Sequence, residues 1–390
     1  MLKIKVFFTL FFVFSSLFYF VENSFLASVS KTENTLNRIE IPLTTSLEPV
    51  EENLRKTSMK FFEESLVRTR FNGAMLVAHN GKIVFEEYLG LKEVVKGSPI
   101  DSVTAFHLAS VSKTFTAMAI LKLWENQQLN IDEKVEKYIS GFPFQQITIR
   151  NLLSHRSGLP NYVYFAQQLG WDTKKYLHND DMLRLLTVNA SRLRIGRPNA
   201  YFDYCNTNYA LLAIIIERVS GMSYAKFMEE NFFKPIGMSN TYVFDINNTE
   251  NVLPSFKYNN RKEPMMFLDA VYGDKNIYST VRDMLKWDIA LSSGSLFKNE
   301  TLEQAYRGYS YEKRGVKNYG LGWRLYELPT GKKIVYHNGW WHGNNTVFSK
   351  LIQDSTTIIV LGNKFNRTIY QAKKIAGIFP GYGIQLEDDE

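Results

Sequence analysis

The sequence predicts an α+β domain within the broad α/β class: an antiparallel sheet built from N- and C-terminal segments, flanked by helices, with a mainly helical subdomain inserted between them. Three observations predict it. A hairpin pattern turning at Asn80-Gly81 lies near the start of the chain. Helical patterns dominate between about residues 115 and 291. Strand patterns then return between residues 320 and 362.

The chain begins with a candidate export segment. Lys3 and Lys5 precede a run without charge from residue 6 to residue 21, which is typical of a signal peptide or a short membrane anchor. We assign residues 1–27 to this segment and residues 28–50, which are mostly polar, to a tether. The protein is therefore expected to be exported: periplasmic, secreted or held at the membrane by its N-terminal segment.

The predicted domain spans residues 51–378 and is followed by a C-terminal tail at 379–390. It opens with a helical pattern over 51–70 and a hairpin over 73–90, and an apolar helix at 209–219 is closed by Gly221. The later strands are predicted at 320–326, 333–337, 345–352 and 355–362, and a last helix at 368–378.

Composition narrows the possible partners. The chain has 46 basic and 39 acidic residues and a net charge of +7, but no basic block interleaved with aromatics, so a nucleic-acid partner is not expected. The single cysteine, Cys205, excludes an intrachain disulfide, and no Cys/His cluster has the spacing of a zinc site. We expect a small-molecule or peptide substrate, no cofactor and no metal.

A repeated heptapeptide carries the first catalytic candidate. Leu-Ala-Ser-Val-Ser-Lys-Thr occurs at residues 26–32 and again at 108–114. Each copy contains Ser-x-x-Lys, which on a helix places hydroxyl and amine one turn apart, close enough for the amine to deprotonate the hydroxyl. The spacing is not selective by itself, because it also occurs at Ser223, Ser295 and Ser310. The surroundings must identify the reactive serine.

The second copy has the surroundings of a nucleophile. It opens an apolar helical pattern over 115–124, so Ser110 is expected at a helix start, where unpaired N–H groups and the helix dipole favour an oxyanion. The first copy follows the leader, and its neighbours are polar, so Lys31 is not expected to lie among apolar side chains. We predict that Ser110 reacts with the help of Lys113, and that Ser28 lies in an N-terminal tail.

Two further motifs follow in order. Tyr204-Cys205-Asn206 stands before the apolar helix, and His337-Asn338-Gly339 ends an apolar strand. Other matches to these short motifs fall out of order or in turns and polar loops. With the flanking stretch 147–160, the three motifs resemble the class C β-lactamase and D-alanyl-D-alanine carboxypeptidase family of penicillin-recognising serine hydrolases, over about residues 60–378.

The resemblance implies a role for each motif residue. Ser110 would attack a carbonyl to form an acyl-enzyme, and either Lys113 or Tyr204 would accept its proton. Asn206 would hydrogen-bond Lys113 or the substrate amide. The backbone N–H groups of Ser110 and Trp340 would form the oxyanion hole, each worth about 3 kcal/mol of barrier.

Departures from the family pattern bear on the substrate. His337, the remaining catalytic candidate, stands where typical lactamases carry the lysine that holds the substrate carboxylate, and a histidine is mostly neutral at pH 7. This favours a D-amino-acid peptide or an ester over a β-lactam; a weak class C-like β-lactamase and a non-catalytic recognition module remain alternatives. We expect Cys205 to be a buried inert thiol, His155 to fix a loop by a hydrogen bond, and Lys275 to be a solvated loop residue.

Overall fold

The computed structural model describes residues 39–42, 46–250 and 252–383. The predicted leader, most of the predicted tether, the first heptapeptide with Ser28 and residues 384–390 lie outside the described residues.

The strands, in chain order, are β1 (Gly73–His79), β2 (Lys82–Leu89), β3 (Leu91–Glu93), β4 (Lys96–Pro99), β5 (Phe106–His107), β6 (Tyr242–Val243), β7 (Ile277–Ser279), β8 (Lys317–Tyr319), β9 (Arg324–Glu327), β10 (Lys333–Trp341), β11 (Asn344–Leu351) and β12 (Thr356–Gly362). The α-helices are α1 (Pro49–Phe61), α2 (Ser112–Glu125), α3 (Ile149–Leu153), α4 (Tyr162–Gln168), α5 (Asn179–Val188), α6 (Asn206–Ser220), α7 (Tyr224–Met228), α8 (Lys234–Ile236), α9 (Val281–Ser292) and α10 (Asn299–Ala305).

The predicted antiparallel sheet joining both ends of the chain is confirmed. Seven strands pair in the order β2-β1-β12-β11-β10-β9-β8, with Gly73 of β1 opposite Gly362 of β12. The hairpin β1–β2 turns at Asn80 and Gly81, whose φ angles of 51° and 76° are those of a type I′ turn. The N-terminal hairpin thus extends the sheet formed by the C-terminal strands.

Apolar side chains on one face of the sheet pack against the first and last helical segments. Met75 and Val360 from the sheet share a buried cluster with Leu54 of α1. The cluster also includes Ile375, from a 3₁₀-helix at Arg367–Ile378, where the sequence predicts the last helix. Burying each such side chain contributes about 1.5–3 kcal/mol, so this cluster holds the two ends of the domain together.

Several boundaries differ from the prediction. The first helix changes at Phe62–Val67 into a π-helical segment, and the strand predicted at 320–326 is divided, because Gly322 turns the chain with φ of 87°. A Cβ at Gly322 would lie 2.2 Å from Cβ of Ala117 in α2, so the turn also allows close packing on α2. The packed domain continues beyond residue 378, because Tyr382 is buried in the same cluster as α1.

The segment between the two parts of the sheet is mainly helical, and short strands anchor it beside Ser110. Strand β7 pairs with both β5 and β6, so Phe106 of β5 lies opposite Ser279 of β7. Helix α6 ends at Gly221, whose φ of 69° caps it. Within the described residues, no helix is both long and apolar enough to cross a membrane.

Candidate active site

Ser110 lies in a tight turn held on both sides. It belongs to the 3₁₀ turn Ala109–Val111, directly before α2, so it precedes the α-helix by two residues and is not within it. The Leu108 N–H donates to the Ile277 carbonyl at 2.8 Å, and the Thr346 hydroxyl donates to the Leu108 carbonyl at 2.8 Å. The turn Ala109–Val111, which we call the nucleophile turn, is therefore fixed between β7 and β11.

Lys113 is fully buried one turn beyond Ser110. Its Nζ donates to Oγ of Ser110 at 3.0 Å and to the backbone carbonyl of Asp274 at 2.7 Å. These two bonds aim the amine at the serine hydroxyl, the geometry that proton transfer from the nucleophile requires. The same pairing does not form at Ser223, whose hydroxyl instead accepts the Lys226 backbone N–H at the start of α7.

Tyr204 lies beside the same lysine. Its ring centroid is 5.1 Å from Nζ of Lys113 and 5.2 Å from Cζ of Arg324, so two cationic side chains flank the phenol. The geometry thus leaves both Lys113 and Tyr204 as candidate proton acceptors, as the sequence does.

Asn206 is the first residue of α6 and lines the same cleft as Ser110. Its Oδ1 is buried and has no hydrogen-bond partner among the described residues. Because a buried acceptor without a partner is costly, this oxygen is suited to receive a donor from the substrate.

Strand β10 brings the third motif against the nucleophile turn. A Cβ at Gly339 would lie 2.5 Å from the Leu108 carbonyl oxygen and 3.0 Å from Cβ of Ala109. Only glycine therefore permits this approach. Asn338, Gly339 and Trp340 all line the cleft with Ser110, which places the two backbone segments of the predicted oxyanion hole side by side.

His337 lies behind the cleft wall and is fully buried. Its Nδ1 lies 2.7 Å from the carbonyl oxygen of Asn338, which can only accept, so Nδ1 donates and Nε2 accepts from the Tyr319 hydroxyl at 3.3 Å. Burial, and secondly the charges of Arg324 and Lys113, hold the pKa of His337 well below its usual value. His337 is therefore a neutral support and not the cation of the site.

His155 fixes the loop that carries Tyr204, as predicted. Its Nδ1 accepts the Cys205 backbone N–H at 3.1 Å, and its carbonyl accepts the Asp203 N–H at 2.9 Å. Burial holds the pKa of His155 well below the ordinary value. Burial also raises the pKa of the Cys205 thiol to about 11, so the thiol is the inert group that the sequence predicts.

The prediction for Lys275 is wrong. Lys275 is only 2% exposed, because the loop before β7 packs tightly on α6. A Cβ at Gly273 of this loop would lie 2.5 Å from the Tyr209 carbonyl oxygen. Nζ of Lys275 donates to the Tyr162 hydroxyl at 2.6 Å and lies 3.6 Å from Oδ1 of Asp274. Burial lowers the pKa of Lys275, and the Asp274 carboxylate opposes that effect.

The cleft around Ser110 has a volume of about 900 Å³ and two cationic side chains that sequence reasoning missed, Arg324 and Arg367. Arg324 is the first residue of β9, between Trp323 and Leu325, which are both fully buried. A lone cation in an apolar strand shortly before the third motif was the available signal. Trp340 is 65% exposed and places an aromatic surface on the rim of the cleft.

Comparisons with known proteins agree with this geometry. The family model described as Beta-lactamase matches residues 60–378. Penicillin-binding protein 4* of Bacillus subtilis (strain 168) is 34% identical over 342 residues, which cover 83% of this chain and 74% of that protein.

Two solved structures share the fold. A penicillin-binding protein from Bacillus halodurans aligns with a TM-score of 0.72 at 22% identity, over 82% of this chain and 99% of that one. The D-amino acid amidase from Ochrobactrum anthropi SV3, complexed with L-phenylalanine, aligns with a TM-score of 0.68 at 19% identity, over 80% and 91%. The chain belongs to the Beta-lactamase family and is a β-lactamase-related serine hydrolase.

Proposed function

We propose that this protein is an exported serine hydrolase that cleaves an amide or ester through an acyl-enzyme on Ser110, with a D-amino-acid peptide as the preferred substrate. The observation that carries the proposal is the 3.0 Å hydrogen bond from Lys113 Nζ to Ser110 Oγ in a cleft that also contains Tyr204. Nucleophile and proton acceptor are within hydrogen-bond reach before the substrate arrives.

The proposed reaction has two halves, acylation of Ser110 and deacylation by water. Oγ of Ser110 bonds to the substrate carbonyl carbon while its proton passes to Lys113 or Tyr204, and the leaving amine or alcohol departs after receiving a proton from the same group. Water then attacks the ester and returns a proton to Ser110, releasing the acid. The N–H groups of Ser110 and Trp340 would stabilise the negative oxygen in both halves.

Arg324 and Arg367 supply the positive charge that favours a substrate carboxylate in the cleft. His337 cannot do so, because it is buried and its pKa is held well below the usual value. The name of one neighbour of the same fold, D-amino acid amidase, supports substrates of the D-amino-acid class. We therefore propose a peptide that ends in a free D-amino-acid carboxylate.

A matched pair of substrates tests this proposal. We expect hydrolysis of an acyl-D-alanyl-D-alanine peptide by wild type and none by Ser110→Ala. Arg324→Leu should lower kcat/KM for the peptide about 10- to 100-fold, since a charge-assisted hydrogen bond is worth about 1.5–3 kcal/mol, and should affect the C-terminal amide of the same peptide much less. Equal loss on both substrates would contradict carboxylate recognition.

The same assay separates the alternatives. Turnover of nitrocefin faster than of the peptide would favour a β-lactamase. Labelling by a fluorescent penicillin without turnover of the peptide, its matching ester or nitrocefin would favour a recognition module.

Export is part of the proposal and is supported by the basic residues and uncharged run in residues 1–21. Expression of the full chain in a bacterial host, followed by fractionation, should place it outside the cytoplasm. A chain lacking residues 1–27 should stay in the cytoplasm, and equal export of both would contradict the assignment.

A further inference from the structure

Lys275 follows Asp274, whose backbone carbonyl accepts a hydrogen bond from the catalytic lysine. Nζ of Lys275 is 4.8 Å from the ring centroid of Trp341, a contact of the cation–π kind. It meets Tyr162 at the hydroxyl edge of the ring, 5.3 Å from the ring centroid. Trp341 lines the cleft, so the ammonium group lies behind the cleft wall, and the side chain itself is only 3% exposed.

The hydrogen bonds of Lys275 hold the backbone loop 271–275 in place. Its Nζ donates to the Val271 carbonyl, four residues earlier, at 3.1 Å, and to the Tyr162 hydroxyl at 2.6 Å. That hydroxyl donates in turn to Oδ2 of Asp274 at 2.9 Å. The side chains of Lys275, Tyr162 and Asp274 thus form one buried hydrogen-bonded group that joins the loop 271–275 to α4.

The same loop holds the catalytic lysine. The backbone carbonyl of Asp274 accepts the bond from Lys113 Nζ at 2.7 Å, and the neighbouring carbonyl of Gly273 accepts a bond from Thr116 Oγ1 at 2.6 Å. Two hydrogen bonds therefore orient the amine of Lys113, one to the hydroxyl of Ser110 and one to this carbonyl. A shift of the loop would change the angle at which Lys113 meets Ser110.

We propose that Lys275 is a positioning residue for acylation: its ammonium group fixes the loop 271–275, so that the Asp274 carbonyl holds Lys113 against Ser110. The inference rests on the proposed function, because it assigns a role in the attack by Ser110. Lys275 touches neither the serine nor the space in which the substrate binds, and it acts only through the loop.

The test separates the rate of acylation from binding. We would measure kinact and KI for a fluorophosphonate with wild type, Lys275→Met and Asp274→Asn, together with the melting temperature of each. Lys275→Met should lower kinact about tenfold or more, because small errors of alignment cost large factors in rate. KI should change less than about threefold, because no contact with the reagent is removed.

Asp274→Asn keeps the carbonyl that holds Lys113 but removes the charge that faces Lys275, so kinact should fall in the same direction. The double variant should be no slower than the slower single variant, because both changes release one loop. Lys350→Met is the matched control: this lysine is also buried, pairs with Asp288 and bonds Ser292 of α9. The Lys350→Met substitution should lower the melting temperature and leave kinact unchanged.

Three outcomes would overturn the proposal. The first is an unchanged kinact in folded Lys275→Met. The second is a rise in KI that accounts for the whole loss of labelling. The third is failure of both Lys275→Met and Asp274→Asn to fold while Lys350→Met folds, which would make Lys275 a residue of the fold alone. If wild type is labelled no faster than Ser110→Ala, the proposed function itself fails, which is a separate result.

Discussion

The Tyr319 hydroxyl lies 3.3 Å from Nε2 of His337, and both side chains are buried behind the catalytic cleft. The histidine of the third motif therefore belongs to an aromatic cluster with Tyr204 and His155. Its position gives it a supporting role, whereas the cleft-lining cations are Arg324 and Arg367.

Buried neutral histidines predict a loss of stability in acid. Burial lowers the pKa of His107 to about 4 and holds those of His155 and His337 well below their usual values. Between pH 6.5 and 4 the unfolded chain binds protons that the folded chain does not, so stability is present above pH 6.5 and is lost as the pH falls. Each histidine adds a slope of up to about 1.4 kcal/mol per pH unit.

Denaturant unfolding at several pH values between 7 and 4 measures this slope. His107→Gln should unfold more easily at pH 7, since it disturbs the bond from the Ala109 N–H, but its slope with pH should be smaller. An equal slope in wild type and His107→Gln would show that His107 is protonated in the folded state.

The close approach at Gly339 predicts a large effect of one methyl group. Gly339→Ala would place Cβ 2.2 Å from Thr346 Oγ1, forcing β10 away from the nucleophile turn. A displacement of this kind should reduce the rate of fluorophosphonate labelling about 100-fold. Gly377→Ala is the control, because nothing lies within 4 Å of its added Cβ; similar labelling rates for the two variants would argue against the tight fit.

Oδ1 of Asn206, which has no hydrogen-bond partner in the described part of the chain, predicts discrimination between amides and esters. If this oxygen accepts the substrate N–H, Asn206→Ala should lower kcat/KM for an amide about 10- to 100-fold, the equivalent of about 1–3 kcal/mol. An ester of the same acyl group has no such N–H and should lose far less. Parallel kinetics on the two substrates check this, and equal losses would assign Asn206 to Lys113 or to the fold.

Features that are determined by residues close together in the sequence could be predicted. The turn at Asn80-Gly81 requires positive φ angles, and the apolar run before Gly221 requires a buried helix, so both could be predicted. The ordered motifs and the family resemblance that they carry were sufficient to predict that Ser110, Tyr204 and Asn206 share one cleft and that Lys113 bonds Ser110.

The remaining features depend on contacts between distant residues. Burial of Lys275 arises from the packing of Gly273 on α6, which no local pattern indicates. The place of Arg324 in the cleft follows from the turn at Gly322 and from pairing with Tyr336 on β10. Neither contact could be inferred from hydrophobic periodicity, because each is fixed by the alignment of elements far apart in sequence.

The identity of the nucleophile is tested most directly by fluorophosphonate labelling of wild type, Ser110→Ala, Ser223→Ala and Ser28→Ala. The two control serines have the same Ser-x-x-Lys spacing. We predict rapid labelling of wild type and of both control variants, and none of folded Ser110→Ala, because Ser110 is bonded to a buried lysine that the Asp274 carbonyl also holds. Labelling of Ser110→Ala at the wild-type rate would contradict the account.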